Sequence, residues 1–374
     1  MGFIKSLKDI SVIGIGDIAA SSISAIFWFY LATLVLPEEY GEIHYLIGIA
    51  TIASTLSLVG QQNTLTVYIS KNKAIFSTLF FISLICSILS FIILFVFFNR
   101  FDIGLLAIGF VIFAHGIASN LGSQNFKKYT TYSILQKSLM LIFSLSIFYF
   151  FGIEWILLGI AFSYFIYTRI FFDGLKKNKF KFSEIKDNKK FIFSNYFLML
   201  TNIITTQVDK LLIVPILGLA VLGNYSLAIQ ILTIMSILPS VIFKYILPRA
   251  SRDIIDIKLR QNVIIFSFVL AGVGILVLPS VIPIFFERFT EVAVIIQIMS
   301  LSIIPLTINS FYYSKFLALE NAKIPLYGGI VSSVVLVSGM IILGSVYGTI
   351  GIAITHVLTY SSLCLVSYIM NKRM

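Results

Sequence analysis

Charge is what this sequence has least of. Only 11% of its 374 residues are charged, against 59% hydrophobic. An ordinary soluble domain carries about a quarter charged residues. With a mean hydropathy of +1.01, the chain lacks the polar surface to cover itself in water. Cysteine is nearly absent: Cys86 and Cys364 both sit in apolar runs, so no disulfide or metal framework is implied. There are three histidines and no HxxE or HExxH spacing on which to build a metal site. Gly14-Ile-Gly16 lacks the remainder of a phosphate loop. No Ser/His/Asp set can be assembled, and no metal or other cofactor is expected. The N-terminus MGFIKSLKDI runs into a long apolar stretch without a small-residue cleavage site, so no removable signal peptide is expected.

What is present in abundance is apolar length. Several runs exceed the roughly 20 residues that cross hydrocarbon. They are continuous rather than alternating, which excludes a transmembrane barrel. The expectation is an all-α integral membrane protein with about twelve transmembrane helices. The spans are 10–36, 42–69, 74–98, 102–123, 133–151, 153–172, 191–217, 221–247, 262–285, 292–319, 325–345 and 348–370. The net charge of +11 could suggest nucleic acid, but the positions of the positive residues exclude that. Twenty-one Lys and Arg fall on one side of this arrangement and only Arg100 and Arg288 on the other. The bias places both termini in the cytoplasm of a multi-pass protein of the cell (inner) membrane.

The most basic connection, 173–190, lies at the midpoint and reads as a cytoplasmic linker on anionic lipid heads. It separates an N-terminal six-helix lobe, 1–172, from a C-terminal one, 191–374. The halves repeat weakly. Gly41 and Gly223 each open a span after a short outer turn, and Phe151-Gly152 and Tyr347-Gly348 each precede the last helix of a lobe. QNFKK at 124–128 and LENAK at 319–323 follow the fourth helix of each. Transporters often carry such repeats. Seven of the eight prolines lie in the second half; Pro215, Pro239, Pro279 and Pro305 fall inside spans. Each removes a helical hydrogen bond and permits a kink, so the second lobe is expected to bend more.

Ionisable residues at membrane depth are costly and mark function. Lys137, Lys244 and Lys315 lie within about 6 Å of the cytoplasmic ends of their spans. Singly, each could snorkel to the interface. Together they suggest a cationic vestibule for a phosphate-bearing substrate, with Gln61, Asn63 and His115 as further substrate contacts. His115 and His356 also read as packing donors. Asp17, Asp209 and Lys210 are the candidates for ion coupling or gating. Asp209 and Lys210 are neighbours on one helix and point about 100° apart, so each needs its partner elsewhere. Asp209 lies in the outer half, which ranks it first as an inter-helix contact or outer latch and second as a coupling-ion site. The outer connections are short, which argues for transport over catalysis.

Three stretches carry a resemblance. ATLVLPEEYG at 32–41, QVDKLLIVPILGLAVLGNYSLA at 207–228 and YGTIGIA at 347–353 resemble signature segments of the Wzx-type polysaccharide transporters. That family belongs to the MOP superfamily, with the MurJ and MATE transporters. The resemblance implies two six-helix bundles around a central cavity with alternating access. It implies a polyprenyl-diphosphate-linked oligosaccharide as cargo, with membrane lipids and glycan-assembly enzymes as partners. Arginines common in such cavities are replaced here by lysines, which bind phosphate as point charges. A cation-coupled exporter of small molecules, as in the MATE branch, remains a second reading. A membrane glycosyltransferase or polymerase is a third, disfavoured by the short outer loops.

Overall fold

The computed structural model describes residues 2–59, 62–71, 73, 75–177, 179–237, 257–318 and 323–373. Among them every regular element is a helix. That is the expected outcome for apolar segments in lipid, where each backbone polar group must find its partner within the segment. Many large apolar side chains lie on the outside, including Val96 at 73%, Phe97 at 80% and Phe150 at 82% exposure. In water such a surface would aggregate; in a bilayer it is the lipid-facing side. The chain is a multi-pass helical membrane protein.

Two compact units form, each described by itself. The first comprises 1–27 with 46–203, and the second 28–45 with 204–374. In the second half of the chain the division passes at Ile203/Ile204, inside a helical run. The second helix begins in one unit and ends in the other.

The first unit contains most of α1 (Gly2–Leu34), the rest of α2 (Pro37–Ser57), and α3 (Gln62–Ser70). Then come α4 (Ile75–Phe98), α5 (Phe101–Gly122), α6 (Phe126–Phe151), α7 (Ile156–Tyr164), α8 (Thr168–Lys176) and α9 (Ser183–Ile203). Helix α5 is the centre: 72% of its most apolar window is buried, against 28% for α4. Small residues let its neighbours approach closely. A Cβ on Gly116 would stand 2.2 Å from the Tyr167 ring, and one on Gly104 2.5 Å from Phe91. Close approach at small residues is the usual means of helix association in lipid. The adjoining core gathers Leu65, Phe76, Phe80, Ile112, Tyr167 and Phe171.

The second unit contains α10 (Asp209–Leu217), α11 (Leu219–Met235), α12 (Ile257–Leu276), α13 (Leu278–Phe285), α14 (Val292–Met299), α15 (Ile303–Ala318) and α16 (Lys323–Lys372). Two interruptions of the helices coincide with proline. Val277 and Pro279 mark a 53° bend between α12 and α13. A 3₁₀ turn, Ser300–Ser302, precedes α15. Pro305 has no N–H to offer the carbonyl of Leu301 in that turn, and its ring crowds it. Pro215 lies inside α10. Pro239 and Pro248 lie outside the described residues.

Among the described residues eight helices are long and apolar enough to cross a membrane, or ten if each of two bent pairs is one span, against twelve expected spans. Three causes account for the difference. The predicted spans 42–69 and 262–285 are the bent pairs. The predicted span 221–247 is described only to 237 and gives a shorter apolar helix, Leu219–Met235. The last two predicted spans appear as one run, α16, broken at Gly348 (φ 57°, ψ −132°). The chain reverses there, since a Cβ on Gly351 would stand 1.8 Å from the carbonyl oxygen of Leu343. Gly152 makes the corresponding turn between α6 and α7 with φ 90°. Positive φ is why glycine occupies both turns.

Candidate functional site

Two aspartates lie at membrane depth, one in each unit, and each accepts a hydrogen bond from a tyrosine of another helix. In the first unit Tyr129 Oη of α6 donates to Asp17 Oδ1 of α1 at 2.7 Å. One residue away, a Cβ on Gly16 would meet the Thr130 side chain at 2.4 Å, and Thr130 Oγ1 donates to the Val12 carbonyl at 3.1 Å. The pair therefore sits where α1 and α6 touch. Asp17 remains half-buried.

In the second unit Asp209 is buried. A five-residue π turn, Ile204–Val208, widens the helix just before it. Such bulges concentrate at functional sites. Tyr225 Oη of α11 donates to Asp209 Oδ2 at 2.8 Å, and the Lys210 backbone N–H donates to Oδ1 at 2.8 Å. Both carboxylate oxygens are thus occupied. Lys210 does not pair with its neighbour. Its Nζ donates to the Thr206 carbonyl at 3.0 Å and to Gln207 Oε1 at 2.8 Å, so the ammonium group fills the opening in the π turn. His356 packs against Tyr360 at 4.9 Å with the rings tilted by 55°, and meets the edge of Tyr225 at 6.4 Å.

At one end of this unit, the segment 36–41 is built for contact. Pro37 opens α2 with its fixed φ, and Glu39 Oε2 accepts from the Leu36 N–H at 2.7 Å, half of a capping box. Tyr40 is buried against Phe289 at 5.5 Å, edge to face, and against His44 at 4.6 Å. Gly41 and Gly223 let the starts of α2 and α11 meet backbone to backbone. A Cβ on Gly41 would stand 2.0 Å from the Leu219 carbonyl oxygen, and one on Gly223 1.9 Å from that of Pro37. Neighbouring connections join the same contact. Arg288 donates to the Leu34 carbonyl at 3.4 Å, Glu291 N–H to Asn224 Oδ1 at 3.2 Å, and Thr349 Oγ1 to Glu291 Oε2 at 2.8 Å.

The three lysines differ. Lys137 is half-buried on α6 and has no hydrogen-bond or ion-pair partner among the described residues. The helix begins at Phe126, earlier than the span predicted, so Lys137 lies about 16 Å along it. Lys315 is exposed in the last turn of α15 and donates to Asn371 Oδ1 at 2.8 Å. Lys244 and Gln61 lie outside the described residues. Asn63 is exposed near the start of α3. His115 is fully buried between Phe80, at 4.0 Å, and Phe171, at 5.3 Å, and neither ring nitrogen has a partner among the described residues. Its surroundings are core. Sequence reasoning missed Tyr129 and Tyr225. The available signal for Tyr225 was its place in the GNY segment that ends the second signature.

Among the described residues no group of three His, Cys, Asp or Glu is placed to hold a metal ion.

Comparison places this architecture. The structure superposes on the lipid II flippase MurJ in an inward closed conformation with a TM-score of 0.76. Identity is 17%, over 96% of this chain and 87% of that one. A multidrug-resistance MATE family transporter of the MOP superfamily, inward-facing, gives 0.61 at 14% identity, covering 95% and 93%. A mutant of the Vibrio cholerae MATE transporter VcmN gives 0.60 at 13% identity, covering 98% and 95%. No curated protein matches the sequence. The fold is therefore that of the MOP-superfamily transporters. By sequence the chain matches the polysaccharide biosynthesis protein family over residues 6–253, and it belongs to that family.

Proposed function

We propose that this protein turns a lipid-diphosphate-linked oligosaccharide from the cytoplasmic to the outer leaflet of the cell membrane, for synthesis of a surface polysaccharide or glycan. The observation that carries the reading is membership of a polysaccharide biosynthesis family on a chain with the MOP transporter fold. A transporter of that fold serves polysaccharide synthesis by moving the intermediate across the bilayer. MurJ, whose name states lipid II as its cargo, supports the class of substrate by analogy of fold.

Lys137 supports it at the residue level. A half-buried ammonium without a partner in a membrane helix is a ready contact for an anion. A diphosphate supplies one, and by sequence Lys244 and Lys315 also fall near the cytoplasmic ends of their expected spans. The substrate enters one face, and alternating access of the two lobes releases it at the other. Asp17–Tyr129 and Asp209–Tyr225 are the coupling or gating elements in this account. The same pairs favour a second reading, a cation-coupled exporter of small molecules, because a carboxylate with a phenol partner can exchange a proton or a cation during transport.

Deletion of the gene followed by leaflet-resolved analysis of lipid-linked glycans separates the two. Accumulation of polyprenyl-diphosphate oligosaccharide on the cytoplasmic leaflet supports the flippase. Unchanged glycans with altered drug sensitivity support the exporter.

A further inference from the structure

A polar cleft lies within the first unit, at its lysine-rich end. It encloses about 270 Å³ where α3, α4, α5, α8 and the α5–α6 turn converge. Ile170 and Phe76 form apolar wall, and Lys128, Lys177, Asp173 and Asn120 supply polar groups. Three observations point to an anion. Lys128 stands in the first turn of α6, whose N-cap Asn125 accepts from the Lys128 N–H; a helix N-terminus favours negative charge. Lys177 Nζ stands 5.5 Å from the Phe76 ring centroid, which holds the ammonium group at the wall. Asn120 is 97% buried and lines the cleft; its Nδ2, itself closed off from solvent, has no partner among the described residues and reaches a bound group when the amide turns toward the cleft. A buried amide donor left unsatisfied calls for a ligand or an ordered water.

The cleft's frame is built. Ser77 Oγ donates to the Gly174 carbonyl at 2.8 Å, and a Cβ on Gly174 would meet the Phe80 ring at 2.6 Å. Asp173 makes no ion pair among the described residues. Two lysines against one carboxylate leave a single net positive charge. That suits a singly charged phosphodiester better than a dianion. Beyond the cleft, Lys179 and Lys181 continue the positive charge, and Phe180 and Phe182 are exposed beside them.

We propose that this cleft binds a phosphate group, held by Lys128, Lys177 and the Asn120 amide. The phosphate could be carried by a membrane lipid headgroup or be free in the cytoplasm. The proposal stands whether or not the transported cargo is the one proposed above, because its test reads binding alone.

The experiment uses the full chain in nanodiscs. Retention of phosphatidylglycerol against phosphatidylcholine is measured by native mass spectrometry, and binding of inorganic phosphate by phosphorus NMR. Both lysines are exposed, so K128Q/K177Q leaves the packing intact; N120D is the second variant, replacing the donor by a carboxylate. The expected result is selective retention of phosphatidylglycerol, weakened about tenfold or more in both variants. Phosphate binding with the same sensitivity would instead identify a soluble ligand and still support the site. Binding of neither probe, or binding unchanged by both variants, overturns the proposal.

Discussion

Tyr225 and Tyr129 do the same chemistry in different surroundings, and the difference predicts their weight. Asp209 is buried and both its oxygens are occupied, one by the Tyr225 hydroxyl. Removing a donor from a buried charged group costs about 1.5–3 kcal/mol. Tyr225→Phe should therefore lower the stability of the detergent-solubilised protein by that order, read by thermal unfolding. Tyr129→Phe should cost less, because Asp17 is half-exposed and water can replace the hydroxyl. Equal losses, or none at Tyr225, would show that the hydroxyl does not hold the carboxylate. The lysines divide in the same way. Lys137→Gln should reduce transport strongly while leaving the protein in the membrane, because that ammonium group has no partner to lose among the described residues. Lys315→Gln should have the smaller effect, since Lys315 is held by Asn371 at a helix end. Transport assays of the two single variants check this ordering. The residue types were readable in the sequence; their partners were not. Tyr129 is 112 positions from Asp17, and no local periodicity connects residues on helices so far apart in the chain.

At the scale of elements, the sequence pattern was most informative where lipid imposes it. Long apolar runs had to become helices. The glycines of two hairpin turns, Gly152 and Gly348, stood out because no other residue adopts their backbone easily. Breaks were less legible. Pro279 and Pro305 marked their kinks, but the π turn at Ile204–Val208 has no proline and no glycine. Its Thr206 carbonyl and Gln207 side chain accept from the Lys210 ammonium group, an arrangement that a pattern of hydrophobicity does not encode. The most demanding contact is that between the starts of α2 and α11. Gly41→Ala or Gly223→Ala places a methyl group about 2 Å from a backbone carbonyl oxygen, and no rotamer can move it away. Each should destabilise this packed arrangement by about 1–3 kcal/mol, measured by thermal unfolding of the purified variants. An Ala variant as stable as the parent would mean that the contact is not maintained in the protein in solution. If the contact is an outer latch, the same variants should also shift the protein toward opening at that end, seen as faster labelling of a cysteine placed at Leu36.

At the scale of the whole molecule, the division into two units crosses α1, α2 and the helical run from Ser183 to Leu217. A reading by sequence order puts a lobe boundary at the basic connection, because charge and midpoint coincide there. Contacts divide the molecule by proximity, so the first two helices contribute their ends at 28–45 to the second unit. Family and fold together define the class of protein, and the substrate is the claim that rests on them. The most direct measurement is reconstitution into proteoliposomes carrying a fluorescent polyprenyl-diphosphate oligosaccharide, with a membrane-impermeant reductant to report the outer leaflet. The account predicts that the protein equilibrates the probe between leaflets, and that K137Q/K244Q/K315Q abolishes this while reconstituting at the same level. A probe that stays in its original leaflet with the parent protein, or moves at the parent rate with the triple variant, would contradict it.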